Sequence, residues 1–153
     1  MSERKVWILV GTIGCGKSSW AKQIASKNPK TKIVSADKFR EMFNGQYVYE
    51  VELDHLITGA MWSLSHSLLL NGYDVIIDVC NMTRERRAPW LALPATRVAV
   101  LFPWKDKQWH IDNWNKNPKK DNADPGKIYD GNLKAFEPIN EDDVDLIVNI
   151  SEF

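Results

Sequence analysis

Cysteine is scarce in this chain: among 153 residues only Cys15 and Cys80 carry thiols. Two thiols cannot build a disulfide framework, and neither sits in a CxxC or Cys/His spacing that would suggest zinc, so a reducing cytoplasm is the expected compartment. Net charge is missing too, because twenty basic and twenty acidic side chains cancel. That excludes a global positive field of the kind that coats nucleic acid; a polyanion would have to be held locally. No apolar run approaches the roughly 20 residues of a membrane span, so no membrane partner is expected. Arg4-Lys5 followed by Val6 to Val10 is too short, and is broken by Gly11, for a signal segment. His55, His66 and His110 lack ligand spacing and read as structural. What is present, 44% hydrophobic and 26% charged residues, suffices for one buried core and excludes a wholly disordered chain.

The length fits one domain over residues 1–153. Apolar, β-branched runs recur at Val6 to Val10, Lys32 to Val34, Val75 to Ile77, Arg97 to Phe102 and Leu146 to Ile150. They are mostly continuous rather than alternating, as in strands buried on both faces. Between them lie segments of helical spacing, the clearest being Leu53, Leu56, Ile57, Ala60, Met61, Leu64 and Leu68, closed by Asn71-Gly72. Alternating strands and helices predict a three-layer α/β domain with a parallel sheet, whose functional residues lie at the carboxyl ends of the strands. Lys105 to Lys127 has no clean period and holds six lysines against four aspartates. It is expected to be a partly helical excursion serving as a small lid.

Gly11-Thr12-Ile13-Gly14-Cys15-Gly16-Lys17-Ser18 satisfies G-x-x-x-x-G-K-[ST] directly after the first strand, and it opens a helix bearing Trp20, Ala21, Ile24 and Ala25. Glycines let consecutive backbone N–H groups turn around phosphate oxygens, and the helix N-terminus adds partial positive charge. Lys17 would neutralise the β- and γ-phosphates of ATP, Ser18 would bind Mg²⁺, and Ser19 continues the cradle. Cys15 reads as a small loop residue rather than the alternative, a redox switch at the phosphate site.

Past the second strand stand Asp37 and Arg40. A carboxylate there can accept the proton of an attacking hydroxyl and an arginine can hold an anionic group; alternatively Asp37 caps the helix and Arg40 is a solvated charge. The cradle tips the balance toward catalysis. Asp78 ends the third strand, where it either holds a Mg²⁺-bound water or closes a turn. Arg84, Arg86 and Arg87 read as a solvated helix face, with the alternative that one of them reaches a ligand. Of the seven tryptophans, Trp7, Trp20 and Trp62 read as core, whereas Trp104, Trp109 and Trp114 either stack on bases or pack the excursion.

These residues resemble the kinase domain of bacteriophage-type polynucleotide 5′-hydroxyl kinases, within the small P-loop kinases related in fold to adenylate kinase. The resemblance rests on the cradle with Ser19-Trp20-Ala21, on Asn28-Pro29, on Asp37 with Arg40, and on Asp78 with Asn81 and Glu85-Arg86-Arg87. It implies a five-stranded parallel sheet ordered 2-3-1-4-5, Asp37 as general base, Arg40 as ligand of the acceptor's phosphate, and the 5′ end of a nucleic acid as partner. The chain departs from that pattern after Arg97, where no arginine remains and Lys116, Lys119 and Lys120 are the lid cations available. No phosphatase domain is expected, since Asp143-Val144-Asp145 lacks the Gly and Thr context of that nucleophile motif. The alternatives are a P-loop kinase acting on a nucleoside, a modified base in DNA or a small metabolite, and a non-catalytic nucleotide-binding module.

Overall fold

The five apolar runs form strands β1 (Lys5–Val10), β2 (Thr31–Ser35), β3 (Asp74–Asp78), β4 (Thr96–Leu101) and β5 (Leu146–Asn149). All pair in parallel, in the order β2-β3-β1-β4-β5. This is the expected sheet, seen in a computed structural model that describes residues 3–116 and 123–151. The central strand is the driest: Val6, Ile8 and Leu9 have no exposed surface, and each such side chain contributes about 1.5–3 kcal/mol on burial. Its alternation feeds two cores. Val6, Ile8 and Val10 meet Ile57, Met61 and Trp90 on one face, while Leu9 meets Trp20, Ala21 and Phe102 on the other.

Helix α1 (Lys17–Lys27) covers the second face with Trp20 and Ala21, as its spacing predicts. Helices α2 (Ala36–Asn44), α3 (Asp54–Leu70) and α4 (Arg84–Leu91) follow in chain order, and α5 (Lys107–Asn115) and α6 (Pro125–Ala135) come from the excursion and the segment after it. Two expectations need correction. The buried stripe of α3 is Ile57, Met61, Ser65 and Leu69, whereas Leu56 and Leu64 are 55% and 43% exposed. The helix offers leucines on more than one side, so its apolar spacing alone does not select the face that packs. Arg87 is not part of a solvated face either, being 1% exposed. Its guanidinium donates to the carbonyls of Asn81 (2.8 Å) and Glu137 (2.9 Å), which repay the desolvation of a buried charge.

Candidate functional site

The cradle runs from β1 into α1 with Gly14 at φ +66° and Gly16, the N-cap of α1, at φ +95°. Side chains other than glycine rarely adopt such angles, which explains both glycines. Thr12 and Ile13 are buried, Lys17 is half-buried, and Ser18 and Ser19 are exposed. Lys17 Nζ donates to the Thr12 carbonyl at 3.0 Å and lies 3.6 Å from Cys15 Sγ. Burial opposes charge on Lys17, but the Cys15 and Cys80 sulfurs and the Asp78 carboxylate more than offset it, so its pKa lies above that of an ordinary lysine. Burial pushes the Cys15 thiol up, with Lys17 pulling the other way. Cys15 is buried and packs against the core beneath α1.

The segment expected to be a lid is docked on this cradle through α5. His110, fully buried, places Nδ1 2.9 Å from the Ile13 carbonyl while Nε2 accepts from the Lys105 N–H at 3.0 Å. A nitrogen that accepts carries no proton, so the ring is the neutral tautomer with hydrogen on Nδ1, donating to Ile13. Burial holds the His110 pKa below the usual imidazole value. Asn113 Nδ2 donates to the Gly14 carbonyl at 2.8 Å, and Asn132 of α6 reaches Thr12 Oγ1 at 3.0 Å. Trp104 packs against Tyr129 and Phe136, and Trp109 lies edge-on to His110 beneath Lys105. These contacts favour packing over base stacking for both tryptophans.

Asp78 stands beside the cradle, its Oδ2 accepting from the Ser18 hydroxyl at 2.8 Å. A hydroxyl and a carboxylate are hard oxygen donors of the kind Mg²⁺ takes alongside nucleotide phosphates and water, so these two residues fit that ion. The loop after β3 is anchored to β1. Gly11 N–H donates to the Cys80 carbonyl, and Asn81, at φ +54°, donates to the Leu9 carbonyl at 2.7 Å while accepting from Trp90 Nε1.

Ser35, the last residue of β2, pairs with Asp78 across the sheet, so Asp37, in the first turn of α2, lies along the same carboxyl edge. The N-cap position belongs to Ser35 rather than Asp37, which sits in the first turn and is half-exposed. Arg40, expected either to hold an anion or to be solvated, is 7% exposed. Its Nη2 donates to Asp54 Oδ1 at 2.6 Å, and its guanidinium carbon lies 4.5 Å from the centre of the Tyr49 ring. Asp54 Oδ2 accepts from the Tyr49 hydroxyl at 3.0 Å and faces Arg86 Nη2 at 3.7 Å. Burial pushes the Asp54 carboxyl up, but hydrogen bonds from Arg40 and Tyr49 and the charges of Arg40 and Arg86 outweigh it, holding it below the usual carboxylate range.

The site thus brings Lys17, Ser18 and Asp78 together, with Asp37 and Arg40 farther along one sheet edge. Lys116 is an exposed residue at the end of α5, and Lys119 and Lys120 lie outside the described residues. His110, Asn113 and Asn132, which brace the cradle, and Asp54 and Tyr49, which engage Arg40, escape a reading of the sequence. They belong to no local motif and meet their partners only through the fold. Among the described residues, no helix is long and apolar enough to cross a membrane.

Solved structures of similar shape carry a kinase-like P-loop fold. A chain of the Pnkp1/Rnl/Hen1 RNA repair complex is 21% identical with a TM-score of 0.74, covering 88% of this chain and 44% of its own. A fungal RNA kinase is 16% identical with a TM-score of 0.69, covering 99% and 39%. A sugar kinase from Janibacter sp. HTCC2649 is 15% identical with a TM-score of 0.69, covering 97% and 86%. The chain therefore spans less than half the length of the two RNA-processing proteins. At the level of sequence, residues 6–128 match the AAA domain family, a stretch that includes the cradle, Asp37, Asp78 and α5, and the chain belongs to that family.

Proposed function

We propose that this protein transfers the γ-phosphoryl group of ATP to the 5′-hydroxyl of a DNA or RNA strand. The observation that carries the proposal is the placement of Asp37 and Arg40 just past β2, whose last residue pairs with Asp78, itself hydrogen-bonded to Ser18 of the cradle. Donor and acceptor groups thereby share one sheet edge. The cradle from Gly11 to Ser19 holds the donor phosphates, and Lys17, kept charged by its surroundings, offsets the negative charge on them. Mg²⁺, when bound by Ser18 and through water by Asp78, supplies further neutralisation of the β- and γ-phosphates. Asp37 accepts the proton of the acceptor hydroxyl as its oxygen bonds to the γ-phosphorus and the bond to the β–γ bridging oxygen breaks. Arg40 holds a phosphate on the acceptor. Lys116, Lys119 and Lys120 serve as lid cations, each a point charge rather than a bidentate fork. Residues 1–153 act in this scheme as one P-loop domain in the cytoplasm.

The same machinery would serve a nucleoside, a modified base in DNA or a small metabolite as acceptor, and the match to a sugar kinase over 86% of that chain favours the last of these. A purely binding module would have no use for Asp37 at the shared edge. Labelled ATP offered with 5′-hydroxyl oligonucleotides, nucleosides and hydroxymethylated DNA separates these readings. Transfer to the oligonucleotides is expected, and transfer only to small acceptors would refute it. Asp37→Asn should lower transfer by about 10²–10⁴-fold, as for a lost general base, with the melting temperature nearly unchanged because the amide oxygen can still accept hydrogen bonds in the first turn of α2. Wild-type activity in that variant would remove the base.

A further inference from the structure

Asp54 gathers side chains from three parts of the chain: Arg40 of α2, Tyr49 of the following loop and Arg86 of α4. Two guanidinium groups converge on one carboxylate, yet the fit is incomplete. Among the described residues, Asp54 Oδ1 engages only Nη2 of Arg40, and Nη1, buried in the same guanidinium, has no hydrogen-bond partner. A guanidinium is a planar fork matched to an anion that can take both prongs, and a buried unpaired N–H is costly. Arg86 stops at 3.7 Å, beyond hydrogen-bond distance, although its side chain is 61% exposed and able to swing inward. The carboxylate therefore sits where an anion with more oxygens and more charge would satisfy the surrounding donors better.

We propose that Asp54 is an internal placeholder for the acceptor's phosphate. When a phosphate-bearing acceptor enters, its phosphate displaces the Asp54 carboxylate, engages both prongs of Arg40 and recruits Arg86 and the Tyr49 hydroxyl as further ligands. This rests on the kinase assignment and adds to it a positioning residue, Asp54, and two phosphate ligands, Arg86 and Tyr49. It also gives the site a means of discrimination. A neutral hydroxyl compound cannot displace a carboxylate held by two arginines, so the clamp stays closed on Asp54 and only acceptors that bring their own anion open it.

The test compares thymidine 3′-monophosphate with thymidine as acceptors. Asp54→Asn removes the competing charge, so KM for the monophosphate should fall by about 5–30-fold, the factor that one or two kcal/mol represents, and the ratio of kcat/KM for monophosphate over thymidine should rise. A fall in that ratio would overturn the proposal, because Asp54 would then only hold Arg40 in place. KM for ATP reports the cradle separately. Since removing one partner of a buried ion pair can unfold a protein, Arg86→Gln, at an exposed side chain, probes the same clamp. It should lower the ratio, and an unchanged ratio would exclude Arg86 as a ligand and overturn the clamp. If the wild type phosphorylates neither compound nor a 5′-hydroxyl oligonucleotide, the kinase assignment fails on its own, and calorimetric titration with thymidine 3′-monophosphate still judges the clamp. Tighter binding by Asp54→Asn and weaker binding by Arg86→Gln support it, and equal affinities across the three proteins refute it.

Discussion

Replacing Gly14 by alanine would measure how firmly α5 is fastened to the phosphate cradle. A Cβ at Gly14 would collide with the carbonyl oxygen of His110 and crowd Trp114 N, both backbone atoms that cannot rotate away. The φ of +66° adds a left-handed penalty of about 1–2 kcal/mol for an L side chain. To relieve the collision α5 must withdraw, which breaks the His110–Ile13 and Asn113–Gly14 hydrogen bonds, each contributing about 0.5–1.5 kcal/mol. Together these terms amount to about 2–5 kcal/mol, or a loss of about 4–20 °C in melting temperature for a chain of this size. Gly45 supplies the control. It has φ +74°, and among the described residues nothing lies within 4 Å of where a Cβ would stand, so Gly45→Ala carries the conformational penalty alone, about 2–8 °C. Thermal melts followed by circular dichroism, with ATP affinity from calorimetry, read both variants. Gly14→Ala should melt lower than Gly45→Ala and bind ATP more weakly. Equal melting temperatures with unchanged ATP affinity would refute the idea that α5 braces the cradle.

Lys17→Ala should abolish phosphoryl transfer while melting within a few degrees of wild type, because among the described residues Lys17 hydrogen-bonds only to the cradle's own Thr12 carbonyl and Cys15 sulfur; a folded variant with near-native turnover would sink its role. Ser18→Ala should raise the Mg²⁺ concentration needed for half-maximal activity, and an unchanged metal titration would count against it. His110 makes stability pH-dependent. Its folded pKa lies below 6.5, so the unfolded chain takes up the proton more readily, and the stabilisation is complete above about pH 6.5 and lost as pH falls through the folded value. Lys17 disfavours and Asp106 favours the protonated ring. The melting temperature of the wild type should fall more steeply below pH 6.5 than that of His110→Gln, and parallel slopes would remove His110 as the cause.

The strands and the cradle were legible because their signals are local: β-branched runs, a fixed glycine spacing, and a lysine and serine at set positions. Asp78 and Asp37 were legible for a related reason, since a parallel sheet aligns strand ends and the register pairs Ser35 with Asp78. The face of α3 was not, because Leu56 and Leu64 match Ile57 and Met61 in hydrophobicity and only the sheet decides which stripe is covered. Arg87 misled in the opposite sense. Within its own segment it is one arginine among three, and the Glu137 carbonyl that receives it lies 50 residues away. The engagement of Arg40 by Asp54 was hidden as well, because it depends on how α2 packs on α3, which neither helix encodes alone.

The clasp between α5 and the cradle also bears on how the chain acquires its shape. Ile13 and His110 are 97 residues apart, and Gly14 and Asn113 are 99 apart. At translation rates of about 5–20 residues per second, roughly 5–20 s separate the synthesis of the cradle from that of the helix that braces it. During that interval the glycine-rich loop can be threaded beside β1 but not fixed in its final form, and ligand cannot bias folding through a finished donor site. The pairing of Val10 with Leu101 at the centre of the sheet closes a loop of nearly the same length, so ATP binding should appear in refolding together with the sheet signal and not ahead of it.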